Sequence, residues 1–157
     1  MHPVLLINGF LAPGAAMLPL KWRLEQAGVA PVEVAAMPRL GMQDVWTLAA
    51  AVREAVNDAR DRHGAERVDL VGVSQGGLAA LAYLQAGGAE HVRRFVALGT
   101  PFHGTWFAAL GVPLVGAVSR GVWQSLPKSE LVQELVAGGA PEGVEVISVA
   151  IPGDPVA

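Results

Sequence analysis

The residue types best suited to chemistry in this chain lie together in Gly72-Val73-Ser74-Gln75-Gly76. A serine hydroxyl is a nucleophile only when it is exposed and a neighbouring base can take its proton. Glycines two before and two after Ser74 remove the Cβ atoms that would collide where a strand turns sharply into a helix, so Ser74 is expected on a strained turn with its Oγ exposed. The flanks fit that geometry. Val68, Leu70, Val71 and Val73 make the β-rich apolar run of a buried strand, and the Ala/Leu pattern after Gln75 reads as a helix. Gly77 supplies a further small residue. The start of that helix would aim free N–H groups, beginning with that of Gln75, at an oxyanion forming on a substrate attacked by Ser74.

The rest of the chain supplies elements able to position this serine. Val4–Ile7 is a continuous apolar run closed by Asn8-Gly9-Phe10 and reads as a central strand. An amphipathic segment over Leu18–Ala27 stops at Gly28, and Val32–Ala36 is a second short strand before Pro38 and Gly41 break the chain. From Asp44, Val45, Leu48, Ala49, Val52, Ala55, Val56 and Ala59 recur at helical spacing up to Gly64. The helix after Ser74 is expected to stop at Gly87-Gly88, with a strand over Arg94–Leu98, a helix near Ser129–Ala137 and a last strand over Val144–Ala150. Trp22 and Trp46 fall within helical patterns and are expected to pack inward. Strands alternating with helices argue for an α/β fold with a mostly parallel sheet flanked by helices, in which ligands bind beyond the carboxyl ends of the strands. Phe10, Ser74, the 100–105 loop and Asp154 all fall at such ends.

Composition narrows the function. At 157 residues, 52% apolar and 16% charged, the chain fits one well-cored domain over 1–157. A net charge of −3 without a basic cluster gives nucleic acid no electrostatic footprint. Zero cysteines exclude disulfides and thiolate metal sites and suit a reducing compartment; no metal site and no cofactor are expected. No signal peptide is visible at Met1-His2-Pro3, so a cytoplasmic location is favoured. The apolar stretch from Trp106 to Leu126 is interrupted by Gly111, Pro113, Gly116, Arg120 and Gly121, which argues against a membrane-spanning helix. Oligomeric state is not legible.

Three motifs in order resemble the α/β-hydrolase superfamily, and within it the bacterial triacylglycerol lipases and esterases. Pro3-Val-Leu-Leu-Ile-Asn-Gly-Phe10 looks like the first central strand and oxyanion loop, Gly72–Gly77 like the nucleophile elbow, and Leu98-Gly-Thr-Pro-Phe-His-Gly-Thr105 like the loop after the next strand. The resemblance implies an α/β-hydrolase fold and a carboxylic-ester hydrolase working through an acyl-enzyme. It gives the backbone N–H of Phe10 and of Gln75 as oxyanion donors. The family commonly has His-Gly where this chain has Asn8-Gly9; a backbone donor survives that change. In the third loop Phe102 takes the family's histidine position and His103 comes one place later.

The family order is serine, acid, histidine. Asp154, the only aspartate after Ser74, sits in a Gly-Asp-Pro turn past the last strand and is the expected acid. No histidine follows it, so the chain is expected to be incomplete at its carboxyl end, with the general base lying beyond. His2, His63 and His91 read as solvated or structural, and His103 as a loop residue near the substrate. With Trp106 and Phe107 it is assigned to substrate binding, within a segment over 104–128 that reads either as core or as a lid or acyl pocket for apolar ester or lipid substrates. An acyltransferase or thioesterase on the same scaffold, or a binding protein lacking the base, stay open as alternatives.

Overall fold

The structure, a computed structural model, describes residues 2–35, 37–102 and 130–149. Five parallel strands, β1 (Val4–Ile7), β2 (Val32–Ala35), β3 (Val68–Val73), β4 (Val92–Leu98) and β5 (Glu145–Val149), form one sheet in the order β2-β1-β3-β4-β5. Four α-helices accompany them among the described residues: α1 (Leu18–Gln26), α2 (Val45–His63), α3 (Gln75–Tyr83) and α4 (Glu130–Gly138). The chain steps from β1 outward to β2 and then returns to the other side of β1 with β3. The strand order therefore reverses between β1 and β3, the place where open α/β sheets leave a crevice for a ligand.

Two-residue periodicity divides the core between the two faces of the sheet. Leu5 and Ile7 of β1 join Val68 and Leu70 of β3 in a large cluster with Val45, Leu48, Val52 and Val56 of α2 and Leu78, Ala79 and Ala82 of α3. Val4, Leu6, Val32 and Val71 face the other way and pack with Met17. Buried leucines and valines of this kind contribute about 1.5–3 kcal/mol each relative to exposure. Asp69 of β3, buried on the second face, is held in a bidentate pair by Arg93, whose Nε donates to Oδ1 at 2.9 Å.

The long helix α2 begins at Asp44, whose carboxylate accepts from the Thr47 N–H at 3.0 Å and the Thr47 hydroxyl at 2.6 Å, and ends at left-handed Gly64. The hydroxyl bond is the main cause holding the Asp44 carboxyl below its usual range; partial burial opposes it. In the same core cluster, beside Arg53 of α2, burial raises the Tyr83 phenol. Strand and helix ends fall within a few residues of those the sequence suggests. The elbow helix leaves helical geometry at Ala86 and at left-handed Gly87, at the glycine pair where the sequence places its stop.

Both tryptophan expectations fail. Trp22 is 60% exposed and Trp46 45% exposed. In α1 the sheet side carries the partly buried Leu20 and Leu24, and Trp22, two residues from each, is rotated about 200° away at 100° per residue. No α1 residue is buried, so its amphipathic packing is shallow. Trp46 lies one residue off the stripe through Val45, Leu48, Ala49, Val52 and Val56 that α2 buries. Among the described residues no helix is long and apolar enough to cross a membrane.

Candidate active site

Ser74 stands between β3 and α3 with φ 53° and ψ −126°, a conformation that side chains with a Cβ rarely adopt. Holding a non-glycine residue there costs on the order of 1–3 kcal/mol, which the surrounding contacts must offset. They do so by close approach. A Cβ on Gly72 would come within 2.6 Å of the Gly77 Cα, and one on Gly76 within 2.5 Å of the Ile7 carbonyl oxygen and 2.7 Å of that of Asn8. The expected strand-helix crossing is thus made by Gly72 and Gly77. Gly76 instead gives way to the end of β1. A Cβ on Gly77 would overlap the buried Thr100 side chain, so the start of α3 is also pressed against the loop after β4. The Ser74 N–H donates to the Leu98 carbonyl at 2.9 Å, fixing the turn to the end of β4.

The loop after β1 closes on the same serine. A Cβ on Gly9 would stand 3.0 Å from the Ser74 Cβ and 3.6 Å from its Oγ. Asn8, buried at 2% exposure, donates its amide to the Ala12 carbonyl at 2.6 Å and to that of Gly9 at 3.3 Å, tightening the loop around Phe10. Where the family commonly carries histidine, the asparagine therefore braces the loop. The Leu11 N–H is taken up by the Leu40 carbonyl at 2.7 Å, and the Ala12 N–H by the Gly9 carbonyl at 3.4 Å. Between them the Phe10 N–H has no backbone partner among the described residues, and the Gln75 N–H, in the first turn of α3, has none within its helix. These are the two N–H groups expected from the resemblance to serve as oxyanion donors.

One element of the site escapes the sequence reading. Pro38 and Gly41 read only as chain breaks, yet the Pro38–Gly41 turn after β2 comes back against Gly9, Phe10 and Gln75, with Arg39 and Leu40 at φ 45° and 55°. Only four non-glycine residues among those described have positive φ: Leu11, Arg39, Leu40 and Ser74. All four belong to this site. The available signal was the Pro-x-x-Gly spacing at the carboxyl end of a strand, beside an expected ligand crevice.

Three histidines lie elsewhere. His2, ahead of β1, has Nδ1 3.2 Å from the Arg67 carbonyl oxygen; His63, at the end of α2, has Nε2 2.6 Å from Glu33 Oε1; His91, ahead of β4, has Nε2 3.4 Å from Glu90 Oε1. All three precede strands and so lie at their amino ends, away from Ser74. Asp154, His103, Trp106, Phe107 and the 104–128 segment lie outside the described residues. Among the described residues no group of three or more acidic, histidine or cysteine side chains is placed to hold a metal.

A family model described as the alpha/beta hydrolase fold matches residues 43–113, from the start of α2 to beyond the β4 loop. Lipase B of Aspergillus fumigatus superposes with a TM-score of 0.74 at 27% identity, covering 88% of this chain and 34% of its own. The Bacillus licheniformis lipase BlEst2 in its propeptide form gives 0.79 at 18% identity, over 95% and 35%. The metagenomic carboxyl esterase MGS0156 gives 0.77 at 17% identity, over 95% and 49%. The chain thus spans about a third of the length of those two lipases. No curated protein sequence matches it. The strained serine turn at the reversal of a parallel sheet, the match over residues 43–113 and these neighbours together give the chain an α/β-hydrolase fold.

Proposed function

We propose that the protein is a carboxylic-ester hydrolase of lipase or esterase type, with Ser74 as its nucleophile. The observation that carries this reading is the backbone of Ser74, held at φ 53° between β3 and α3 at the point where the strand order reverses. Strain of that kind at a serine needs a reason, and an exposed nucleophile supplies one. The relatives named lipase and esterase favour ester substrates over other acyl donors.

In this mechanism the Ser74 Oγ attacks the ester carbonyl carbon while a histidine takes its proton. Negative charge moves to the carbonyl oxygen, which accepts from the N–H groups of Phe10 and Gln75. Collapse of the tetrahedral intermediate expels the alcohol, protonated by the same histidine, and leaves Ser74 acylated. Water, deprotonated by the histidine, then attacks the acyl carbon and releases the acid and free Ser74. Asp154 is the proposed acid that orients the histidine, and His103, Trp106 and Phe107 the proposed substrate contacts. No cofactor enters any step. A fluorophosphonate, which phosphonylates activated serines, should label the full-length protein once, at Ser74; labelling that persists in Ser74→Ala would overturn the assignment.

A further inference from the structure

A Cβ placed on Gly41 would approach both residues of the proposed donor pair. It would lie 3.1 Å from the Gly9 carbonyl oxygen, 3.4 Å from the Phe10 Cα and 3.3 Å from Gln75 Oε1. Two of these neighbours belong to the loop after β1, and the third is the buried side chain of the first residue of α3. The Pro38–Gly41 turn therefore fills the space between the two segments that carry the Phe10 and Gln75 N–H groups. Its preceding residue, Leu40, accepts the Leu11 N–H at 2.7 Å, so that this donor is consumed and the Phe10 N–H is left as the open one. The turn is held in an improbable form to do this, with Arg39, Leu40 and Gly41 consecutively left-handed at φ 45°, 55° and 75°. Leu11, which receives the contact, is left-handed too, at φ 54°. The amide of Gln75, 2% exposed and without a hydrogen-bond partner among the described residues, is enclosed beneath it.

We infer that the Arg39–Gly41 turn is a brace that sets the distance between the two oxyanion donors, and that Gly41 is its positioning residue. The inference rests on the ester-hydrolase reading of the site, and it assigns a role to a loop that carries no reacting group. Donor placement matters at the ångström scale. Loss of one oxyanion donor lowers kcat by about 10²–10³, and a displacement of about 1 Å can lower it by about 10². A methyl group on Gly41 needs its neighbours to yield by a few tenths of an ångström, and the neighbours are the donor segments themselves.

A matched control exists in the same chain. Gly28, at φ 82°, has nothing within 4 Å of the position its Cβ would take, and it lies beyond α1, remote from Ser74. Gly28→Ala carries the left-handed penalty without the contacts. In the full-length protein Gly41→Ala should lower kcat about 10–100-fold on a soluble p-nitrophenyl ester with KM within about threefold of wild type, whereas Gly28→Ala should lower Tm and leave kcat alone. Amide hydrogen exchange supplies a readout independent of turnover: exchange of the Leu11 N–H should accelerate at least about tenfold in Gly41→Ala and stay unchanged in Gly28→Ala. Should Gly41→Ala fail to fold, Leu40→Val, which keeps the accepting carbonyl but puts a β-branched residue at φ 55°, carries the same two expectations. Unchanged kcat with unchanged Leu11 exchange in the folded variant overturns the brace. Accelerated Leu11 exchange in Gly41→Ala, with a wild type that hydrolyses no ester, keeps the brace and sinks the hydrolase reading.

Discussion

Gly72 and Gly77 pass each other so closely that a Cβ on the first would stand 2.6 Å from the Cα of the second and 2.7 Å from its nitrogen. This contact lets α3 leave β3 at the angle that holds Ser74 between them. It also makes an alanine there unlike a surface alanine, because the colliding atoms are backbone and cannot rotate away. Gly72→Ala should destabilise the protein by about 2–3 kcal/mol, the upper range for overpacking a tight core. Gly76→Val should do at least as much, since its side chain would enter the carbonyl oxygens of Ile7 and Asn8. Thermal unfolding checks both: an unchanged Tm for either variant would mean that strand and helix have room the geometry denies them.

Ser74 should trade stability for chemistry. Its backbone lies where glycine is at ease and serine is not, so Ser74→Gly should stabilise the fold by about 1 kcal/mol while abolishing fluorophosphonate labelling. Ser74→Ala should abolish labelling without that gain, because it keeps the Cβ. Chemical denaturation of the three proteins side by side measures the difference. A Ser74→Gly variant no more stable than Ser74→Ala would show that the turn is unstrained.

At the start of α2, the cap ties stability to pH. The Thr47 hydroxyl bond lowers the Asp44 carboxyl in the folded state, so the charged cap stabilises above the ordinary carboxylate range and that contribution is lost as pH falls through the lowered folded value. Asp44→Ala should therefore cost about 1 kcal/mol at pH 7 and much less at pH 3. Urea unfolding of wild type and variant at both values tests this, and a difference that persists undiminished at pH 3 would count against the cap.

Much of this architecture is legible in the sequence because its signals are local. Gly72-Val73-Ser74-Gln75-Gly76 specifies its own turn, the apolar runs at Val4–Ile7 and Val68–Val73 specify interior strands, and the stripe through Val45, Leu48 and Val52 specifies a helix that covers them. What was not legible depends on contacts between distant segments. Nothing near Pro38 states that its turn will meet Gly9 and Gln75, because that meeting requires β2 to lie beside β1 and β1 beside β3. Trp22 and Trp46 misled for a related reason: large apolar residues suggest burial, but the rotation of each helix against the sheet decides which positions receive it.

Substrate preference is expected to follow the apolar stretch from Trp106 to Leu126. If it lines an acyl pocket, each added buried methylene contributes about 0.8 kcal/mol, or roughly fourfold in kcat/KM while the chain stays enclosed. A p-nitrophenyl ester series from acetyl to decanoyl should then rise over its first several members. A strict acetyl preference would return this stretch, with Trp106 and Phe107, to the core.

The identity of the general base is the sharpest remaining test of the mechanism. His2, His63 and His91 are committed to Arg67, Glu33 and Glu90 at the amino ends of the strands, so none of them serves Ser74. Among the four histidines His103 alone is left, five residues after the end of β4 in the sequence. The superfamily order of serine, acid, histidine instead puts the base after Asp154. That order predicts that the 157-residue polypeptide hydrolyses esters barely above background, since losing the base of a serine triad can lower kcat by about 10⁶. It also predicts that His103→Ala in the full-length protein keeps most of its activity, whereas Asp154→Asn loses about 10⁴, as misorientation of the base does elsewhere. Assaying the two polypeptides and the two variants on one ester separates the cases. Robust turnover by the 157-residue chain that disappears in His103→Ala would make His103 the base and remove Asp154 from its proposed position in the triad.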